Sequence, residues 1–256
     1  MKKITALILA CLMLLISFAA CSGEKSGTND RPDADTQYSD NKGQSAQNSV
    51  FPTVDNEEEY ELYHEIFFDK KGGDYENKEA EKTGTFATLY DEFNKVKRYY
   101  VWGYGDDKDS DWQWELKVGD TSNLPKNGSL VSVTGTFEKS EDALDGYWFT
   151  EPEITVKTAY EGKTYDIDMS VMSATLERVQ IANIQSFKEE FEDKSVAVYG
   201  RLASENLIAH PYNEESWQQH FFTDEKLPKE GTMVLVTGVF SEGVIKEAVV
   251  TEASQY

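Results

Sequence analysis

The sequence predicts a mainly β protein with short helices, built as two tandem five-stranded Greek-key barrels. Three observations carry that prediction. Residues 124–137, LPKNGSLVSVTGTF, return at 227–240 as LPKEGTMVLVTGVF, nine of fourteen positions identical at a fixed offset of 103 residues, which is the mark of one small β unit duplicated. Short aromatic and β-branched runs separated by turn residues surround each copy, the spacing of a sandwich or barrel. Each copy also carries a glycine inside its strand pattern, Gly135 and Gly238, where a strand bends at a barrel corner.

Within the repeat, Pro125 fixes φ and Asn127-Gly128 supply positions that tolerate positive φ, so the chain reverses before the apolar alternation begins. Pro228 and Gly231 repeat the device. The two-residue period then places Val131, Val133 and Phe137 on one face, and Val234, Val236 and Phe240 on the matching face of the copy. These six are the strongest core prediction, each side chain worth roughly 1.5–3 kcal/mol on burial.

The elements follow in order. Residues 1–20 have the layout of a secretory leader: Lys2 and Lys3, an apolar run from Ile4, then Ala19 and Ala20. The run is too short to be preferred as a spanning helix. Residues 21–50 are rich in Ser, Gly, Asn, Asp and Gln, bury too little to offset ordering entropy, and are expected to be a disordered tether reaching on the order of 30 Å.

A first domain is expected over 51–158. Residues 57–69, EEEYELYHEIFFD, place Tyr60, Tyr63 or His64, and Phe67 at helical spacing behind an acidic first turn. Five strands follow at 83–89, 98–104, 111–118, 129–137 and 147–156. A second domain is expected over 159–256: a linking strand at 160–169, a helix within 172–193, then strands at 194–202, 206–210, 217–223, the repeat strand, and 244–252. Trp217-Gln218 echoes Trp112-Gln113, extending the match upstream of the repeat.

Two resemblances rest on these residues. SFAACSG at 17–23 resembles the lipobox of bacterial lipoproteins, with Phe18 departing from the usual aliphatic residue. It implies diacylglyceryl attachment at Cys21 and anchoring to the cell membrane, each buried methylene contributing roughly 0.8 kcal/mol. The helix ahead of a K-x-V-x-V-x-G strand, the five-strand count and the V-x-V-T-G fourth strand resemble the OB-fold, twice over. Together these look like uncharacterised bacterial lipoproteins with tandem OB-like domains. The OB resemblance implies a ligand face on strands two and three.

Composition narrows the function. With 47 acidic against 25 basic residues and a formal net charge of −22, the chain is ill suited to nucleic acid, whose phosphates need Lys and Arg. Cys11 and Cys21 are the two cysteines, so residues 51–256 have no disulfide, cysteine zinc site or cysteine nucleophile. His64, His210 and His220 lack metal spacing. The residues carry no catalytic motif, and no cofactor is expected.

Aromatic residues crowd strands two and three. Trp112, Trp114, Leu116 and Val118 share one face of strand three, read as core, opposite Gln113, Glu115 and Lys117. In strand two Tyr100, Trp102 and Tyr104 oppose Tyr99 and Val101, so one set must point outward. The candidate ligand-binding residues are Tyr100, Trp102, Tyr104, Gln113 and Glu115, an aromatic row able to stack on a sugar, base or peptide side chain; core packing is the competing reading. Asp107, Asp109 and Asp111 begin like a calcium loop, but Trp112 stands in place of its glycine and Val118 in place of its bidentate glutamate, so a solvated turn competes. The hairpin loop at 138–146 is longer than its counterpart at 241–243, which favours the first barrel as the binding one.

The expected function is a membrane-anchored, extracytoplasmic binding or assembly module with a protein or saccharide ligand. The alternatives are an accessory hydrolytic or calcium-dependent enzyme at the cell surface, and a structural envelope protein without a small ligand.

Overall fold

A computed structural model describes residues 54–105 and 110–253. The leader, Cys21 and the tether lie outside the described residues, as do Asp107 and Asp109. The first half contains helix α1 (Glu57–Phe67) and strands β1 (Glu79–Asp91), β2 (Val96–Tyr104), β3 (Asp111–Lys117), β4 (Leu130–Lys139) and β5 (Tyr147–Thr158). The second contains β6 (Ile167–Asp168), helix α2 (Ala174–Ser186), β7 (Lys194–Ser204), β8 (Leu207–Ala209), β9 (Gln218–His220), β10 (Met233–Ser241) and β11 (Val244–Glu252).

Strands β1 to β5 close into a barrel in the order β1-β2-β3-β5-β4. Every pairing is antiparallel except β3 with β5, which run parallel through Leu116–Phe149 and Lys117–Thr150. This is an OB-like arrangement. The second sheet follows the same path, β11-β10-β7-β8-β9, with β6 beside β7, but remains open. Where the barrel has its parallel pair, the second sheet has a single bridge between Phe221 and Ile245. Strands β8 and β9 are three residues each, too short to carry a ladder around to β11. The expectation of two tandem barrels is therefore corrected to one closed barrel and one open sheet.

The repeat occupies corresponding places in both. Gly84 of β1 pairs with Val131, and Gly200 of β7 pairs with Val234. The turn before each repeat strand is tied in the same way: Gly128 and Gly231 donate to the carbonyls of Phe86 and Leu202 at 2.8 Å, and those residues donate back to Ser129 and Thr232 at 2.9 Å. Both glycines sit at positive φ, 85° and 89°, which L side chains rarely adopt. Beside Gly135 and Gly238 the ladder register shifts, and the partner strand holds a glutamate at positive φ, Glu151 and Glu247. The bend read from the two glycines is thus a β-bulge on the neighbouring strand.

The barrel core holds Phe86, Val101, Trp112, Trp114, Leu116, Val131, Val133, Phe137 and Phe149. Helix α1 packs on this core. Asn56 caps it by accepting from the Glu59 N–H at 3.2 Å, and it buries Tyr63 and Ile66 while His64 stays exposed. Glu59 accepts from the Trp114 indole at 2.7 Å and pairs with Lys82 at 2.5 Å, so the helix is pinned to β1 and β3 together.

Helix α2 starts where the Ser173 hydroxyl accepts from the Leu176 N–H at 3.1 Å. It is shorter than the helix read from sequence, because Phe187 leaves helical φ and ψ and residues Lys188–Phe191 tighten into a 3-10 turn that buries Phe191. The linking strand shrinks to β6. Leu176, Ile181, Ile184 and Phe191 join Val196, Val198, Val234, Val236, Phe240 and Ile245 in a second core, which also takes in Ala87, Leu89, Tyr100, Trp102 and Tyr104 from the outside of the barrel. All six repeat residues predicted as core are buried. Barrel and sheet share this core within one compact unit.

Candidate functional site

The alternation read along β2 and β3 holds: Val101, Trp112, Trp114 and Leu116 point into the barrel, while Tyr100, Trp102, Tyr104, Gln113 and Glu115 point out of it. Outward does not mean exposed. All five candidate ligand residues are buried, none with more than 6% of its surface accessible, because the segment 167–176 and the second sheet lie over the three aromatics and Gln113, while Arg98 and the loop 138–146 cover Glu115. The Trp102 indole donates to the Val171 carbonyl at 3.0 Å and meets the Tyr104 ring edge-on at 5.3 Å. A sugar or peptide has no face to stack on there, and the expectation of an exposed row is corrected.

Gln113 and Glu115 act as ties. The Gln113 amide donates to the Tyr63 hydroxyl at 3.1 Å and accepts from Ser173 at 3.0 Å, joining α1, β3 and the start of α2. Glu115 accepts from Arg98 at 2.6 Å and from the Leu144 N–H at 2.7 Å. Arg98 also donates to Asp91 at 2.7 Å and to the Asp142 carbonyl at 2.7 Å. Burial raises the Glu115 carboxyl above its ordinary range despite these donors. It works against Asp91 too, but there the Asn94 and Arg98 hydrogen bonds outweigh it and the carboxyl is held low. The long loop 138–146, expected to carry function, is thus latched to the barrel wall by a buried arginine.

Of the three calcium-loop candidates, Asp111 alone lies among the described residues. Asp111 accepts from the Thr175 N–H at 2.9 Å and from its hydroxyl at 3.1 Å. A carboxylate at the first turn of α2 is favoured by the helix dipole. Among the described residues no group of three or more His, Cys, Asp or Glu is arranged to hold a metal ion.

An open cleft of about 500 Å³ lies elsewhere, between the β1–β2 turn, β6, the turn before β7 and the start of β7. It is lined by Tyr90, Ile167 and Phe191 among Glu92, Lys95, Lys97, Asp166, Glu190 and Lys194. Three lysines against three carboxylates make it formally neutral, within a chain that has nearly twice as many acids as bases. Lys95 bridges Glu92 at 2.8 Å and Glu190 at 3.0 Å. Asp166 accepts from the Ser195 hydroxyl at 2.7 Å and N–H at 2.9 Å, which holds its carboxyl below the usual range. Lys97 lies 5.0 Å over the Tyr90 ring, and burial raises the Tyr90 phenol, with Asp166 adding to the effect. Neither Lys97 nor Lys194 makes an ion pair with a described carboxylate.

Reading the sequence missed this cleft. Its residues come from segments about 70 to 100 positions apart, none carries a motif, and alternating charge reads as an ordinary solvated face. The chain matches no protein-family model and no curated protein.

Proposed function

We propose that this protein is a membrane-anchored, extracytoplasmic module that binds or helps assemble a protein or saccharide partner. The leader-like residues 1–20 with Cys21 in a lipobox-like setting support the location. An OB-like closed barrel bearing a cleft large enough for a small ligand supports a binding role; such sites usually occupy about 300–1,000 Å³. That cleft is the observation that carries the reading, in place of the aromatic row. The net charge of −22 favours a partner other than nucleic acid.

Metabolic labelling with a palmitate analogue tests the anchor: label on the wild type, and its loss with release from the membrane in Cys21→Ala, is the expected result. Pull-down and glycan-array screening of the full chain test the module. An unlabelled protein that stays soluble overturns the location, and the absence of any retained partner or glycan overturns the binding role. One observation favours a second reading, a structural envelope protein without a small ligand: the largest aromatic row on the barrel's outside is spent on holding the second sheet.

A further inference from the structure

Resting on the saccharide branch of that reading, we propose that the cleft between the β1–β2 turn and β7 binds a small acidic saccharide, its anionic group held by Lys97 and Lys194. Both ammonium groups belong to exposed residues of one cavity, and neither makes an ion pair with a described carboxylate. The cavity thus offers two cations outside any ion pair with a described carboxylate, Lys97 over the Tyr90 ring and Lys194 near Asp166, inside a strongly acidic molecule. Compensating one negative charge there costs no rearrangement of existing ion pairs.

The other walls suit hydroxyl groups. Glu92 and Glu190 each give one oxygen to Lys95, through Oε2 and Oε1 respectively, and leave the second oxygen to accept from a ligand hydroxyl. Sugar hydroxyls donate and accept at once, which matches a wall of alternating carboxylates and ammonium groups. Tyr90 and Phe191, in edge-on contact at 6.5 Å, add a small apolar floor with Ile167. A cavity of about 500 Å³ lies toward the lower end of the range for small-ligand sites. The surrounding negative charge and the three carboxylates of the rim disfavour a long polyanion, which would present many charges to two lysines.

Isothermal titration of the full-length protein in detergent, with glucuronate, glucose 6-phosphate, glucose and inorganic phosphate as separate probes, tests this. Saturable binding at millimolar concentration or below is expected for glucuronate, glucose 6-phosphate or both, and the tighter of the two identifies the anionic group as carboxylate or phosphoryl. Glucose and inorganic phosphate each bind at least roughly tenfold more weakly. The double variant Lys97→Gln/Lys194→Gln loses at least roughly tenfold in affinity, while Lys71→Gln, an exposed lysine paired with Glu65 of α1 and not part of the cleft lining, does not. Both cleft lysines are exposed, so the double variant keeps its melting transition. No saturation by either acidic sugar, equal binding of free phosphate, or affinity untouched by the double substitution each overturns the proposal. A partner captured equally by wild type and double variant sinks this site and leaves the membrane-anchored binding module standing.

Discussion

The Trp112 ring lies against the backbone of Gly84 so closely that a Cβ built on the glycine would stand 2.9 Å from the indole Cη2. Trp217 and Gly200 repeat the relationship at 3.0 Å. A tryptophan in the third strand of the barrel, and one just ahead of the third strand of the open sheet, fills the space that the first strand's glycine leaves. The duplication has preserved a packing unit as well as a stretch of sequence.

Gly84→Ala is expected to cost about 2 kcal/mol or more, the added methyl meeting the Trp102 carbonyl at 2.5 Å as well as the indole. Gly200→Ala meets the Ala209 carbonyl and behaves alike. Gly119→Ala, with nothing within 4 Å, serves as the control. Urea denaturation compares the three; equal midpoints for Gly84→Ala and Gly119→Ala refute the packing account.

Replacing Arg98 by Met leaves Asp91 and Glu115 buried without their cation, so stability should fall by about 3–5 kcal/mol. The loop 138–146 loses its tie through the Asp142 carbonyl, and limited proteolysis should cut there first. A variant as resistant as wild type shows that the loop is held by something else.

Trp102→Phe keeps most of the ring packing but deprives the Val171 carbonyl of its donor. The expected cost is about 1–3 kcal/mol in thermal or denaturant unfolding. Trp102→Ala should cost about 3–5 kcal/mol, as for other buried aromatic truncations. Any loss of ligand binding in these variants should track unfolding, and a folded Trp102→Ala protein that has lost only binding contradicts the placement of this residue.

Burial raises the Asp168 carboxyl from 3.8 to about 6, against the donor Ser170 hydroxyl at 2.6 Å. The folded state therefore holds this proton more tightly than the unfolded chain does. Its contribution is fully present below the unfolded value and is lost as pH rises through about 6, up to roughly 3 kcal/mol in all. Glu177, buried in α2 and accepting from the Tyr199 N–H, is raised in the same direction. Asp168→Asn should flatten the fall between about pH 4 and 6 and exceed wild type in stability at neutral pH. Denaturation midpoints across that window measure it; parallel curves for the two proteins count against the assignment.

Several elements were legible because local chemistry decides them. The two-residue alternation located β1 to β5, and the turn glycines marked where β4 and β10 begin. Strand β11 runs from Val244 to Glu252 as read. Residues 160–166 escaped that logic, since their alternation resembles a strand but β7 offers a pairing position only to Ile167 and Asp168. The helix boundary at Phe187 was equally hidden: 184, 187 and 191 have helical spacing, and only the demand to bury Phe191 against the second core tightens the chain there.

The sequence by itself determined that a β unit occurs twice, which residues share a face of each strand, and which six repeat residues form cores, because side-chain direction follows from backbone period. Tertiary structure alone decided what each face meets. The second sheet settles onto the barrel's outward aromatics and turns an apparent ligand face into interior, while distant segments meet to place Lys97 and Lys194 in one cleft. Burial depends on what packs across a surface, and periodicity along one strand holds no information about its neighbour.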